Sequence, residues 1–219
     1  MAATPVYLEV GKKRVFACSL DWPGWCRSGK SEEAALETLA AYAARYAPVA
    51  ELAAARFPAS AGKSLDVVER APGSATTDFG AIGAVPAADS APLSSGAASK
   101  FAALLRASWT YFDRVVADAP QELRKGPRGG GRDRDKIAAH VLGAEAGYGR
   151  KIGLRLREPA IDDAAAIAAH RDSIAAALDA ASDGVPLAEK GWPARYALRR
   201  FTWHVLDHAW EIEDRSPSA

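Results

Sequence analysis

Residues 201–211 read FTWHVLDHAWE. A helix turns about 100° per residue, so His204 and His208 lie about 40° apart and leave one face a single turn from each other. Ala197, Phe201 and Ile212 share that face, which marks it as a stripe turned to a core. Trp203, Leu206 and Trp210 fall within about 60° of one another on the opposite side. A member of a simple bundle needs only one buried face, and this helix has two. It must lie between two bodies of protein. The second body is the amino-terminal region, the stretch 71–95 or another subunit; docking within the chain is favoured, because a monomer with two wet tryptophans is the poorer solution.

Working outward, the pattern from Ala97 to the end is helical. Phe101, Leu104, Leu105, Ser108, Phe112 and Val115 form the inner stripe of a first helix that Pro120 stops. Residues 133–153 give the second helix, 163–180 the third and 194–214 the fourth. Four such helices, with one longer connection at 120–132, predict an up-and-down four-helix bundle over 96–219. Residues 71–95 carry Pro72, Gly73, Ser74, Pro86 and Pro92 with no sustained period, so they read as a linker or strap; Phe79, Ile82 and Val85 suggest that part of it lies on a surface. Residues 1–70 read as a small antiparallel sheet with one helix. Val6, Leu8 and Val10 alternate with polar or aromatic neighbours, Gly11 turns the chain, and 14–19 returns. A short third strand follows near 25–28, then a helix over 32–56 capped by Ser31, with Pro48 expected to kink or end it. Residues 65–70 form the last strand. The fold class is α+β, with segments 1–70, 71–95 and 96–219.

The 219 residues are 49% hydrophobic and 25% charged, and 28 basic against 27 acidic side chains leave a net charge of +1. This balance argues against a broad nucleic-acid surface. No run reaches about 18 uncharged apolar residues, which argues against a membrane span, and MAATPVYLEV lacks the pattern of a secretory leader. The expected compartment is the cytoplasm. Cys18 and Cys26 are too few for a disulfide scaffold and read as a buried strand cysteine and a surface thiol.

The chain holds four histidines. His140, in DKIAAHVLGAEAGYGRKIG (135–153), sits at the edge of the stripe made by Ile137, Val141, Ala144 and Tyr148, so it too projects inward. Ala144 and Gly147 are small enough to leave a cavity beside it. A lone core histidine is usually a packing residue, but three converging imidazoles each need a donor and an acceptor satisfied. A divalent cation takes one lone pair from each ring. Three nitrogen ligands with an open position describe a catalytic or substrate-binding centre. His170 reads as a boundary residue on the third helix. Glu211 lies on the histidine side as a carboxylate that could hold a ring N–H or a metal-bound water, with Asp207 beside it, and Tyr148 borders the cavity.

HVLGAE on the second helix paired with HVLDHAWE on the fourth resembles the DinB-like superfamily of four-helix metal-binding proteins, over about 97–214. The resemblance implies that His140, His204 and His208 bind a divalent ion such as zinc, nickel or iron. It also implies a low-molecular-weight-thiol-dependent S-transferase acting on small electrophiles, or a hydrolase; the shared logic is a coordinated thiol with a lowered pKa. The amino-terminal stretch SLDWPGWCRSGKSEEAALETLAAY (19–42) resembles a HicB-like domain over about 5–70, with its Pro-Gly turn and Ser-capped helix. That likeness supports a rival reading, a non-catalytic partner-binding protein with a structural metal. A homodimer is compatible with either. The connection KGPRGGGRDRD (125–135) could present Arg128 and Arg132 with backbone N–H groups to an anion, although such a loop is more often a solvated connector.

Overall fold

Alternating apolar residues build β1 (Thr4–Val10), and Gly11 donates its N–H to the Arg14 carbonyl as the chain turns into β2 (Val15–Ser19). The computed structural model describes residues 3–126 and 130–217. β3 (Cys26–Gly29) follows the Pro23-Gly24 turn. Gly24 has φ +88°, and a Cβ there would meet Thr202 and Leu206 at 2.6 and 2.8 Å, so only glycine fits. With β4 (Leu65–Pro72) the strands take the order β3-β2-β1-β4.

The β1–β2 and β2–β3 pairs are antiparallel, whereas β4 runs parallel to β1. This corrects the expectation of a purely antiparallel sheet. The helical connection after β3 carries the chain back to the end where β1 begins, and a strand starting there can only run alongside it. The expected single helix over 32–56 is two, α1 (Glu32–Ala41) and α2 (Ala43–Leu52). The break falls at Tyr42, and Pro48 is accommodated inside α2. Anchors at the break and in the following helix hold this geometry: the Tyr42 ring lies 5.1 Å from Trp210, and Tyr46 of α2 donates its hydroxyl to the Pro23 carbonyl at 2.8 Å.

Val6, Leu8, Val15 and Ala17 pack into one core with Trp25, Leu39, Tyr46 and Val49. Tyr7, Phe16, Cys18 and Cys26 belong to another, completed by Ile82 and Trp203. Cys18 and Cys26 are cross-strand neighbours joined as a disulfide, and Cys26 is buried, so neither is a surface thiol. Their register sets them directly opposite on one face.

The stretch 71–95 is folded and held down by three carboxylates. It contains α3 (Ala75–Phe79), closed by a Ser74–Thr77 capping box, and a 3-10 turn at Ala87–Ser90. Buried Glu9 accepts from the Gly83 and Ala84 N–H groups and from the Thr77 hydroxyl. Glu69 accepts from Ala87 N–H at 2.7 Å. Asp89, fully buried, receives Arg199 through two hydrogen bonds of 2.9 and 2.8 Å. Of its larger apolar residues Ile82 and Leu93 are buried, whereas Val85 is exposed and Phe79 is 90% exposed.

The remaining helices are α4 (Ser95–Asp118), α5 (Arg134–Gly149), α6 (Ala164–Leu178) and α7 (Ala194–Arg215). α7 contacts α4, α5 and α6 on one side. Its other side meets the sheet and α1–α2: Trp203 lies edge-on to Phe16 at 5.9 Å, and Leu206 and Trp210 are fully buried. Every residue from Tyr196 to Leu206 is buried. The second apolar face is thus covered within the chain. Among the described residues the architecture is α+β, a four-stranded sheet with seven α-helices, and no helix is long and apolar enough to cross a membrane.

Arg199 also donates to the Ser19 and Leu20 carbonyls, so one guanidinium joins α7, the strap and the end of β2. Removing one partner of a buried pair strands a charge, at a cost of about 3–5 kcal/mol. Asp89→Ala is expected to lower unfolding stability by that amount in urea titrations, whereas Arg106→Ala, which breaks the exposed pair with Asp172, costs under about 1 kcal/mol. Equal losses in the two variants would contradict the assignment.

Candidate metal centre

α5 and α7 lie side by side, and their facing stripes bring three imidazoles together. The ring centroids are 5.1 Å apart for His140–His204, 4.9 Å for His140–His208 and 4.7 Å for His204–His208. One nitrogen from each ring lies within 4.8 Å of the others. Tetrahedral ligation at about 2.0–2.1 Å needs nitrogens about 3.3 Å apart, so an ion would require the rings to draw closer. His204 and His208 are buried and His140 is half-buried. Beyond His140 on α5, Ala144 is half-buried and Gly147 exposed, and a Cβ on Gly147 would meet nothing within 4 Å. The small residues therefore border the side of the cluster nearest solvent.

Burial pushes the His140 and His204 pKa values down, His204 most strongly. The charge of His208 adds to the effect on both rings; Arg132 acts on both, and Arg200 on His204. Neutral rings keep their lone pairs, which is the state a cation requires. His208 Nδ1 is 2.8 Å from Glu211 Oε2, and the other Glu211 oxygen accepts from Arg215 at 2.7 Å. The hydrogen bond from His208, aided by Arg215, holds the Glu211 carboxyl below its usual pKa. With Nδ1–H given to Glu211, the lone pair of His208 is on Nε2. His204 Nδ1 is buried with no hydrogen-bond partner. An orphaned imidazole nitrogen inside a three-histidine cluster fits a cation, and the nitrogen donor set suits zinc, nickel or iron.

The other expected site residues separate. Glu211 sits behind His208, as a supporting carboxylate should. Tyr148 borders the cluster: its ring is 5.6 Å from that of His204, and its hydroxyl accepts from Arg200 at 2.9 Å. Asp207 is engaged elsewhere, its Oδ1 accepting from Arg27 of β3 at 2.8 Å. Arg132 is exposed, and its charge reaches His140 and His204. Arg128 lies outside the described residues. The flanks of that connection are tied to the end of α7, with Arg124 and Arg215 exchanging hydrogen bonds.

His170 joins a different cluster. Its Nε2 lies 3.7 Å from Glu145 Oε2, and Glu145 also accepts from Trp109 Nε1 at 2.6 Å with Arg171 Nε 3.9 Å away. Sequence reading missed Glu145 although it closes the HVLGAE motif. Five residues after His140 it points about 140° away, to the opposite side of α5. Arg200 was also missed; its spacing before His204 and His208, four and eight residues, was the available signal.

Comparison with protein-family models, curated proteins and solved structures gave no match.

Burial raises the Glu145 pKa from the ordinary carboxylate value to about 7. The folded state then binds the proton more tightly than the unfolded chain, so stability present at low pH is lost as pH rises from about 4.5 through 7. Each unit of such a shift is about 1.4 kcal/mol. Glu145→Gln, which keeps an acceptor for Trp109 and carries no charge, is expected to be at least about 1.4 kcal/mol more stable than the parent at pH 8 and no more stable at pH 4. An equal gain at both pH values in chemical unfolding would contradict this.

Proposed function

We propose that this protein is a divalent-metal-dependent enzyme of the DinB-like type, in which His140, His204 and His208 hold the ion and a small molecule takes the open position. On this reading α4–α7 are the up-and-down four-helix bundle of those proteins, and the sheet with α1 is a HicB-like unit docked against α7. The observation that carries the proposal is the meeting of three imidazoles, one with an orphaned nitrogen and one braced by a carboxylate. Among the described residues no fourth His, Cys, Asp or Glu completes that cluster. Glu211 is occupied by His208 and Arg215, and His170 by the neighbourhood of Glu145. This favours a centre with an open position over a closed structural one, and therefore an enzyme over a purely partner-binding protein.

A bound divalent ion would lower the pKa of a coordinated thiol or water, giving a nucleophile at neutral pH. The chain's own residues set the conditions for that chemistry. Glu211 orients His208 through Nδ1, and the His208 hydrogen bond, with Arg215, favours the ionised form of Glu211. α7, buried from Tyr196 to Leu206, holds His204 and His208 one turn apart, while His140 on α5 is half-buried. The resemblance to the DinB-like proteins adds the reaction: low-molecular-weight-thiol-dependent S-transfer to a small electrophile.

The purified protein is expected to carry about one divalent ion per chain by elemental analysis, and His204→Ala to carry none while its far-ultraviolet circular dichroism stays helical. Equal metal in parent and variant would overturn the assignment. Because protonation removes the ligating lone pair, and burial holds the His140 and His204 pKa values below the ordinary imidazole value of about 6.5, affinity is expected to hold through neutral pH and to fall on acidification below that value; an affinity that never falls on acidification while the protein stays folded argues for other ligands. A screen of thiols with electrophiles is expected to show metal-dependent thiol consumption that His204→Ala lacks.

A further inference from the structure

Three arginines are buried among the described residues: Arg171, Arg199 and Arg200. Arg171 is paired with Asp113 at 2.7 Å and Arg199 with Asp89 at 2.8 Å. Arg200, one turn before His204, has no carboxylate within 4.0 Å among the described residues. Its Nη2 donates to the neutral Tyr148 hydroxyl at 2.9 Å, and its Nη1 is buried with no partner at all. The guanidinium carbon lies 4.7 Å from the Trp203 ring centroid and 5.1 Å from that of Tyr148. A buried permanent cation balanced only by aromatic faces and one phenol is costly, and the two neighbouring cases show how this fold otherwise solves the problem. The position also matters. Tyr148, which receives Arg200, is in ring contact with His204, and the positive charges of Arg200 and Arg132 both act on that histidine. A metal ion added there would leave more positive charge than Glu211 alone offsets.

We infer that Arg200 receives the carboxylate of the small molecule that binds at the triad, so that the ligand is a compact carboxylate-bearing thiol or electrophile. A carboxylate that displaces the Tyr148 hydroxyl takes Nη2 as well as Nη1 and forms the forked pair for which guanidinium is built. Trp203 and Tyr148 then flank the pair, and the far end of the molecule reaches toward the histidines. The placement of that far end rests on the reading of the triad as a metal centre; the anion site itself does not.

The test uses the full chain loaded with cobalt(II) and titrated with mercaptoacetate and with 2-mercaptoethanol, reading thiolate-to-metal absorption. Mercaptoacetate is expected to bind at least about tenfold more tightly, the range of a charge-assisted hydrogen-bonded pair. In Arg200→Met, with metal content unchanged, the preference is expected to fall to near unity. No preference in the parent overturns the inference. A preference that survives Arg200→Met also overturns it, since the metal alone would then be chelating the acid. Should Arg200→Met fail to fold, Arg200→Lys keeps the charge and loses the fork; it is expected to cut the preference severalfold, and an unchanged ratio is contrary. Metal-free protein separates the two readings. Sodium acetate, compared with chloride at equal ionic strength, is expected to raise the thermal midpoint of the parent and not of Arg200→Met. If cobalt fails to bind and this acetate effect persists, the anion site stands and the metal reading falls. If the acetate effect is absent, the anion site falls.

Discussion

Arg199 carries a permanent charge into the middle of the molecule, where Asp89 and the carbonyls of Ser19 and Leu20 make it tolerable. That one guanidinium ties together three parts of the chain distant in sequence: the end of β2, the strap and α7. The consequence reaches the functional residues. α7 is buried between the sheet and the other helices, so its roll about its own axis is set from both sides, by Trp203 on Phe16 and by the contacts to α4, α5 and α6. With the roll fixed, His204 and His208 have one direction to face, toward His140. The position of the histidine cluster is thus a property of how the sheet and the helices share one helix.

Within the cluster, burial acts on protons before it acts on ligands. The water-poor surroundings of His204, together with the positive charges of neighbouring side chains, disfavour the imidazolium form. The three rings and the nearby Glu211 carboxylate make a donor set braced at His208 and left unsatisfied at His204. Glu145 on the other side of α5 shows the complementary case, a carboxylate that burial pushes toward its neutral form. Burial is thus the leading cause of the shift at His140 and His204 and, on the opposite face of α5, at Glu145.

The features legible in the sequence were those that depend on a residue and its neighbours a few positions away. The His204–His208 spacing, the inward stripe of α5 and the second apolar face of α7 all follow from helical period, and the four carboxy-terminal helices from their stops and caps. Strand alternation marked β1, and the turn at Gly11 marked β2 as its returning partner, for the same reason. What escaped depends on partners remote in the chain. The break at Tyr42 answers to Trp210, the parallel pairing of β4 to the return path of the connection, and the order of the strap to Glu9, Glu69 and Arg199. The Cys18–Cys26 pair needed the strand register, and Asp207 needed Arg27. Arg200 looked like any helix charge until the structure left it without a carboxylate.

X-ray absorption at the metal edge of the purified, loaded protein tests the central assignment most directly. The account requires three imidazole nitrogens at about 2.0–2.1 Å and one exchangeable light-atom position that becomes sulfur when a thiol is added. A shell of oxygens alone, or one saturated by protein ligands and indifferent to thiol, would contradict it.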